Sequence, residues 1–154
     1  MNNNLIIDVK GLNKYFGKIH AVKDLTISVR KGEIFGFLGP NGAGKTTTIR
    51  MIVGITAPDE GNIRLFGQKI SSSLQDKIGY LPEERGLYKK MKVQEQLRYF
   101  AALKDVPQKI ADERIDFWLN RMGLSDWKLK QAADLSKGMS QKIQFIAAVL
   151  HEPE

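Results

Sequence analysis

Residues 39–46 read GPNGAGKT and fit the pattern GxxxxGK followed by Ser or Thr at every position. A nearly unbroken apolar stretch, EIFGFLG over residues 33–39, precedes them and a helix-compatible run follows, the context such a loop requires. Gly39, Gly42 and Gly44 allow torsions and close approach that a Cβ forbids. With Pro40, Asn41 and Ala43 between them, successive amide N–H groups can turn inward around phosphate oxygens. The helix that follows adds its positive end. Lys45 is a mobile point charge suited to β and γ phosphates, Thr46 carries a hydroxyl able to ligate Mg²⁺, and Thr47 is placed for the α phosphate. The chemistry indicated is binding of a nucleoside triphosphate. The loop by itself is common to kinases, GTPases and transport ATPases.

The elements that must hold this loop are legible from hydrophobic period. Leu5, Ile7 and Val9 alternate with Ile6, Asp8 and Lys10, and Leu25, Ile27 and Val29 alternate more cleanly with Thr26, Ser28 and Arg30, as half-buried antiparallel strands do; YFGK between them supplies a turn. Residues 33–39 predict a strand buried on both faces of a parallel sheet. A helix is expected from near Gly44 to a stop at Gly54, then short strands over residues 62–66 and 78–81. From about Val93 the period is helical: Ile115, Trp118, Leu119 and Met122 share one face, as do Ile143, Ile146, Ala147 and Leu150. Trp118 belongs to that core stripe, whereas Trp127, between Asp126 and Lys128, reads either way.

Composition bounds the rest. A length of 154 residues with 42% hydrophobic content predicts one compact domain with a real core, and zero cysteines exclude disulfide scaffolds and cysteine-ligated metals. The longest apolar run, residues 145–150, is far below the ~20 residues of a spanning helix, and MNNNLIIDVK lacks a signal-peptide pattern, so a cytoplasmic protein is expected. The net charge of +7 is dispersed among acidic residues, which points to a solvated surface and not to nucleic acid.

Further features recur in a fixed order. Phe16, with Tyr15 beside it, precedes Gly17 in LNKYFGKIHAVKDLTI. IGYLPEERGLY, residues 78–88, sets Glu83, Glu84 and Arg85 in a charged loop. LSKGMSQ, residues 135–141, lies ahead of a helix expected to start near Ser140, and the chain closes on HEPE. From the residues alone, Ser136 reads as a helix N-cap or as an anion contact; the Glu or Gln of a capping box is missing at Met139. In this set, over its whole length, the chain resembles the ATP-binding subunits of ABC transporters, and YLPEERGLY resembles the bacterial export-type subunits linked to sodium extrusion and drug export.

The resemblance implies an α/β fold: a P-loop NTPase core with an antiparallel β subdomain and a helical subdomain, the C-terminal part of the core absent. Residues 1–92 would hold the β subdomain and loop, and residues 93–150 the helical part. It implies ATP and Mg²⁺ as cofactors, Phe16 (or Tyr15) as the ring stacked on adenine, and residues 39–47 as the phosphate cradle. Leu135, Ser136, Lys137, Gly138 and Met139 become a signature that departs from LSGGQ at Lys137 and Met139. Glu83 stands where the family has a glutamine that touches Mg²⁺ and the attacking water. A carboxylate ~4 Å from a phosphate charge costs about 4 kcal/mol in a partly shielded site, which ligation of Mg²⁺ beside Thr46 would offset. Partners implied are a second ATP-binding subunit, identical or not, and a transmembrane permease that chooses the substrate, with the chain peripheral on the inner membrane face.

In the family, HEPE is followed by an apolar strand ending in a Mg²⁺-binding Asp, a catalytic Glu and a switch His. None lies in these residues, and neither His20 nor His151, at a helix end, takes the switch role. The expectation is therefore ATP binding with little turnover, with apolar surface left uncovered. The alternative is a non-catalytic nucleotide-binding or interaction module.

Overall fold

The computed structural model describes residues 4–83 and 86–154. The chain divides into two compact units, Met1–Gln75 and Asp76–Glu154. In the first, β1 (Leu5–Phe16) and β2 (Ile19–Arg30) form an antiparallel hairpin turning at Gly17 and Lys18. β3 (Glu60–Leu65) pairs antiparallel with the other edge of β1, and the two-residue β4 (Gln68–Lys69) follows, giving the order β2-β1-β3-β4. Leu25, Ile27 and Val29 of β2 are more buried than Thr26, Ser28 and Arg30, as their alternation predicts. In β1 the period slips, so that Val9 and Leu12 are both fully buried. The register against β2 shifts between them, and the irregularity carries the strand from one face to the other. α1 (Lys45–Ile52) buries Thr48, Met51 and Ile52, and α2 (Ser72–Gln75) is a single turn.

The expectation for residues 33–39 is corrected: they form no ladder. Ile34 and Leu38 are 103% and 97% exposed, and Phe35 meets Phe37 edge-on instead of entering a core. A strand buried on both faces needs parallel neighbours at its edges and helices over its faces. All four strands among the described residues belong to the antiparallel sheet. Residues 78–81 are likewise irregular and not a strand.

The second unit is helical: α3 (Val93–Ala102), α4 (Gln108–Arg121) and α5 (Lys137–Val149), with 3₁₀ turns at Ser125–Trp127 and Ala132–Asp134. Val93, Leu97, Ile115, Leu119, Ile143 and Ile146 are inaccessible or nearly so and form one cluster, against which both Trp118 and Trp127 pack. Trp127 thus belongs with the core, and Lys130 Nζ lies 4.6 Å from its ring centroid. The helical period begins at Val93 as expected. The compact unit begins earlier, at Asp76, because Leu87 packs on the helical core and the carbonyls of Lys89 and Met91 accept from Ala133 and Ala132 N–H.

Arg98 grips Asp112 with two hydrogen bonds, Nε to Oδ1 at 2.5 Å and Nη2 to Oδ2 at 2.8 Å, linking α3 to α4 and holding the carboxyl below its ordinary range. Arg114 of α4 donates to Leu150 O at 2.7 Å, satisfying a carbonyl at the C-terminus of α5. No helix among the described residues is long and apolar enough to cross a membrane. Truncating Leu119, 1% exposed in this cluster, to Ala is expected to lower the unfolding free energy by about 2–5 kcal/mol, read from urea denaturation.

Candidate functional site

The loop is seated by a missing side chain. Gly44 adopts φ 80°, and a Cβ built there would lie 2.3 Å from Ala21 O of β2, so only glycine permits this approach of backbone to backbone. From that seat the chain enters α1: Thr48 N–H donates to Gly44 O at 2.8 Å, while Ala43 N–H donates to Pro40 O at 3.2 Å and tightens the loop. No side chain caps α1, so the amides of Lys45, Thr46 and Thr47 face out of the helix end, and no acid in the first turn opposes an anion there. Lys45 reaches back across the mouth, its Nζ donating to Gly39 O and Pro40 O, both at 2.7 Å. An ammonium has three donors, so one remains. Asn41, Gly42, Ala43 and Thr46 are exposed.

At the end of β1, Tyr15 and Phe16 occupy opposite faces of the strand. Tyr15 stacks on His20, its register partner, with centroids 4.1 Å apart and planes 18° from parallel. Phe16 is 51% exposed, with Lys14 Nζ 5.5 Å from its centroid. Asp59 fixes this strand end: Oδ2 accepts Tyr15 N–H at 2.6 Å, Oδ1 accepts Lys14 Nζ at 3.0 Å, and Asp59 N–H donates to Asn13 O at 3.0 Å. The Tyr15 amide, and then Lys14, hold its carboxyl below the usual range. Sequence reasoning missed Asp59, Lys14 and His20. The i, i+2 spacing of Lys14 and Phe16 on one strand was the available signal for the cation; nothing local marks Asp59, 44 residues from Tyr15.

In the second unit, Glu83 sits exposed on a bend; Glu84 and Arg85 lie outside the described residues. The segment before it is held against the HEPE end of α5. A Cβ on Gly79 would lie 2.6 Å from Ala148 O, His151 Nε2 donates to Ile78 O at 3.1 Å, and Glu154 N–H donates to Lys77 O at 2.9 Å. His151 is therefore structural, and burial lowers its pKa more than the Ile78 carbonyl raises it. α5 starts at Lys137, three residues before the expected Ser140. The extended Ser136 is its N-cap, and Oγ accepts Met139 N–H at 3.3 Å. Lys137 and Gly138 are exposed at the helix end, while Leu135 and Met139 pack on the helical core.

A glycine loop seated on a strand and opening an uncapped helix, in a chain that also carries a separate helical unit, defines a phosphate-loop nucleotide-binding protein. The ABC transporter family matches residues 22–154, and the chain belongs to that family. It is 47% identical, over 97% of its length and 50% of the relative's, to the uncharacterized ABC transporter ATP-binding protein YhaQ of Bacillus subtilis. It is 36% identical to the linearmycin resistance ATP-binding protein LnrL of the same organism, over 97% of this chain and 49% of LnrL. A solved ATP-binding subunit of an ABC transporter superposes with a TM-score of 0.85 at 30% identity, covering 96% of this chain and 63% of that one. The chain spans about half the length of the curated relatives it matches.

Gly44→Ala is expected to destabilise the first unit by at least about 1–3 kcal/mol, from left-handed strain alone, seen as an earlier thermal transition. For His151 the folded pKa is lowered, so the unfolded chain takes up the proton first. The histidine's contribution to stability is complete above the ordinary imidazole value of about 6.5 and is lost as pH falls from there toward the folded value. His151→Gln should flatten that part of the stability profile, measured by urea unfolding across pH.

Proposed function

We propose that this chain is the ATP-binding portion of an ABC transporter subunit that hydrolyses ATP and couples closure of a subunit pair to movement of a membrane partner. The observation that carries the reading is the loop mouth: Lys45 braced on the Gly39 and Pro40 carbonyls with one donor free, beside three uncapped amides of α1. Residues 39–47 then hold the phosphates, by backbone N–H groups, the Lys45 ammonium and the Thr47 hydroxyl. Phe16 stacks on adenine in preference to Tyr15, since one Tyr15 face is already taken by His20.

Thr46 fits Mg²⁺ as an exposed hydroxyl at the helix entrance, and the ion when bound would neutralise phosphate charge; Glu83 is an exposed carboxylate of the kind that ligates Mg²⁺. The segment Leu135 to Met139 presents Ser136, Lys137 and Gly138 to the γ phosphate held by the other subunit, while Leu135 and Met139 anchor it on the helical core. Residues 1–75 carry the β part and the loop, and the helical part, whose period begins at Val93, lies in the unit that starts at Asp76. The subunit pairs with an identical or related copy and with a permease, at the inner face of the membrane. The described residues supply binding and positioning groups and none among them is placed to activate water, so this stretch is expected to bind ATP with little turnover.

In the full-length subunit with Mg²⁺, Lys45→Ala should lower ATP affinity and kcat/KM by at least tenfold; unchanged turnover would overturn the assignment. Ser136→Ala separates the two readings of that residue. Loss of a cap lowers stability by about 0.5–2 kcal/mol and leaves turnover intact. A γ-phosphate contact lowers kcat at least tenfold while ATP affinity measured on the isolated subunit is retained.

A further inference from the structure

The outer face of the first unit's sheet carries a charge arrangement that the nucleotide reading does not use. Strand register aligns Ser28, Asp8, Arg64 and Lys69 directly across β2, β1, β3 and β4, and Lys10 lies opposite Asn62 one pleat further along. Asp8, Lys10, Asn62, Arg64 and Lys69 line a concavity of about 410 Å³. Three cations surround one carboxylate, and Asp8 is already engaged, by Lys10 Nζ at 3.5 Å and by the Ser28 hydroxyl at 3.5 Å. Among the described residues no acid pairs with Arg64 or Lys69, which nonetheless face each other as direct cross-strand partners. Like charges opposed across an antiparallel ladder are destabilising. A lysine on a two-residue edge strand guards against edge pairing without needing an arginine opposite it.

We propose that this concavity binds a phosphate group. The Arg64 guanidinium offers two parallel N–H donors, Lys69 and Lys10 add mobile ammonium charge, and the Asn62 amide supplies a neutral donor. The two uncompensated positive charges match a phosphate dianion, and the volume suits a small phosphorylated ligand or a single phospholipid headgroup. The site stands apart from the phosphate loop and does not depend on it.

The test therefore uses the Lys45→Ala chain, in which the loop is disabled. Pyrophosphate is titrated in while the Arg64 and Asn62 side-chain NMR signals are followed, and flotation with phosphatidylglycerol vesicles against phosphatidylcholine vesicles tests the lipid source. Expected is saturable binding of at least one anionic probe, weakened at least tenfold by Arg64→Gln with Lys69→Gln and retained by Lys69→Arg. Pyrophosphate binding assigns a soluble phosphate, and binding to phosphatidylglycerol vesicles alone assigns a headgroup. Thermal unfolding gives a second readout: without anion, Lys69→Gln should raise the transition temperature, and pyrophosphate or the anionic vesicles should raise that of the parent only. Absence of binding to both anionic probes, or binding indifferent to the double substitution, overturns the proposal.

Discussion

The contact between Gly44 and the carbonyl of Ala21 is the constraint from which the first unit's chemistry follows. Because a Cβ at 2.3 Å from that oxygen is impossible, the backbone itself is the packing surface, and the loop is located by β2 and not by its own side chains. That frees Asn41, Gly42 and Ala43 to stay exposed, fixes where α1 begins, and puts Lys45 within reach of two loop carbonyls. Had the loop been anchored by a side-chain cap on α1, an amide offered to an anion would have been consumed.

The same economy explains the polar residues around Phe16. Asp59 ties the last residues of β1 to the approach of β3 by accepting two hydrogen bonds and donating one through its backbone, so the aromatic pair sits at a defined strand end instead of a frayed one. Tyr15 and Phe16 are adjacent in sequence yet differ in use because a strand sends them to opposite faces. His20 stacks on one ring, and Lys14 lies over the other.

Local signals were read well where local physics decides. The phosphate loop, the helix after it, the hairpin and the start of the helical region at Val93 all follow from glycine placement and period. Residues 33–39 show the limit: an apolar run states that a segment wants burial on both faces but not whether neighbours exist to bury it, and here Ile34 and Leu38 face solvent. Asp59 and Gly79 were invisible for a related reason, since their roles rest on partners 44 and 69 residues away, Tyr15 and Ala148. α5 begins three residues ahead of the expected Ser140 because its hydrogen bonding opens at the Ser136 cap, earlier than its apolar stripe.

The two helix N-termini offered to anions differ in a way that bears on those alternatives for Ser136. α1 enters from glycine with no side-chain cap, so its first-turn amides are all unspent. α5 enters from Ser136, whose Oγ consumes the Met139 N–H and nothing else in the first turn, leaving the Lys137 and Gly138 amides exposed. A hydroxyl that accepts one hydrogen bond still has a proton to donate, and an anion arriving at Lys137 and Gly138 lies within its swing. Cap and contact are therefore compatible roles for one serine: the first sets the helix entry geometry, and the second uses the donors that entry leaves over. Lys137, in place of a glycine, adds a cation at the positive end of α5, where it opposes the helix dipole until an anion is present. Under the proposed function, a lysine at this position favours anion binding at the expense of the stability of the empty helix end.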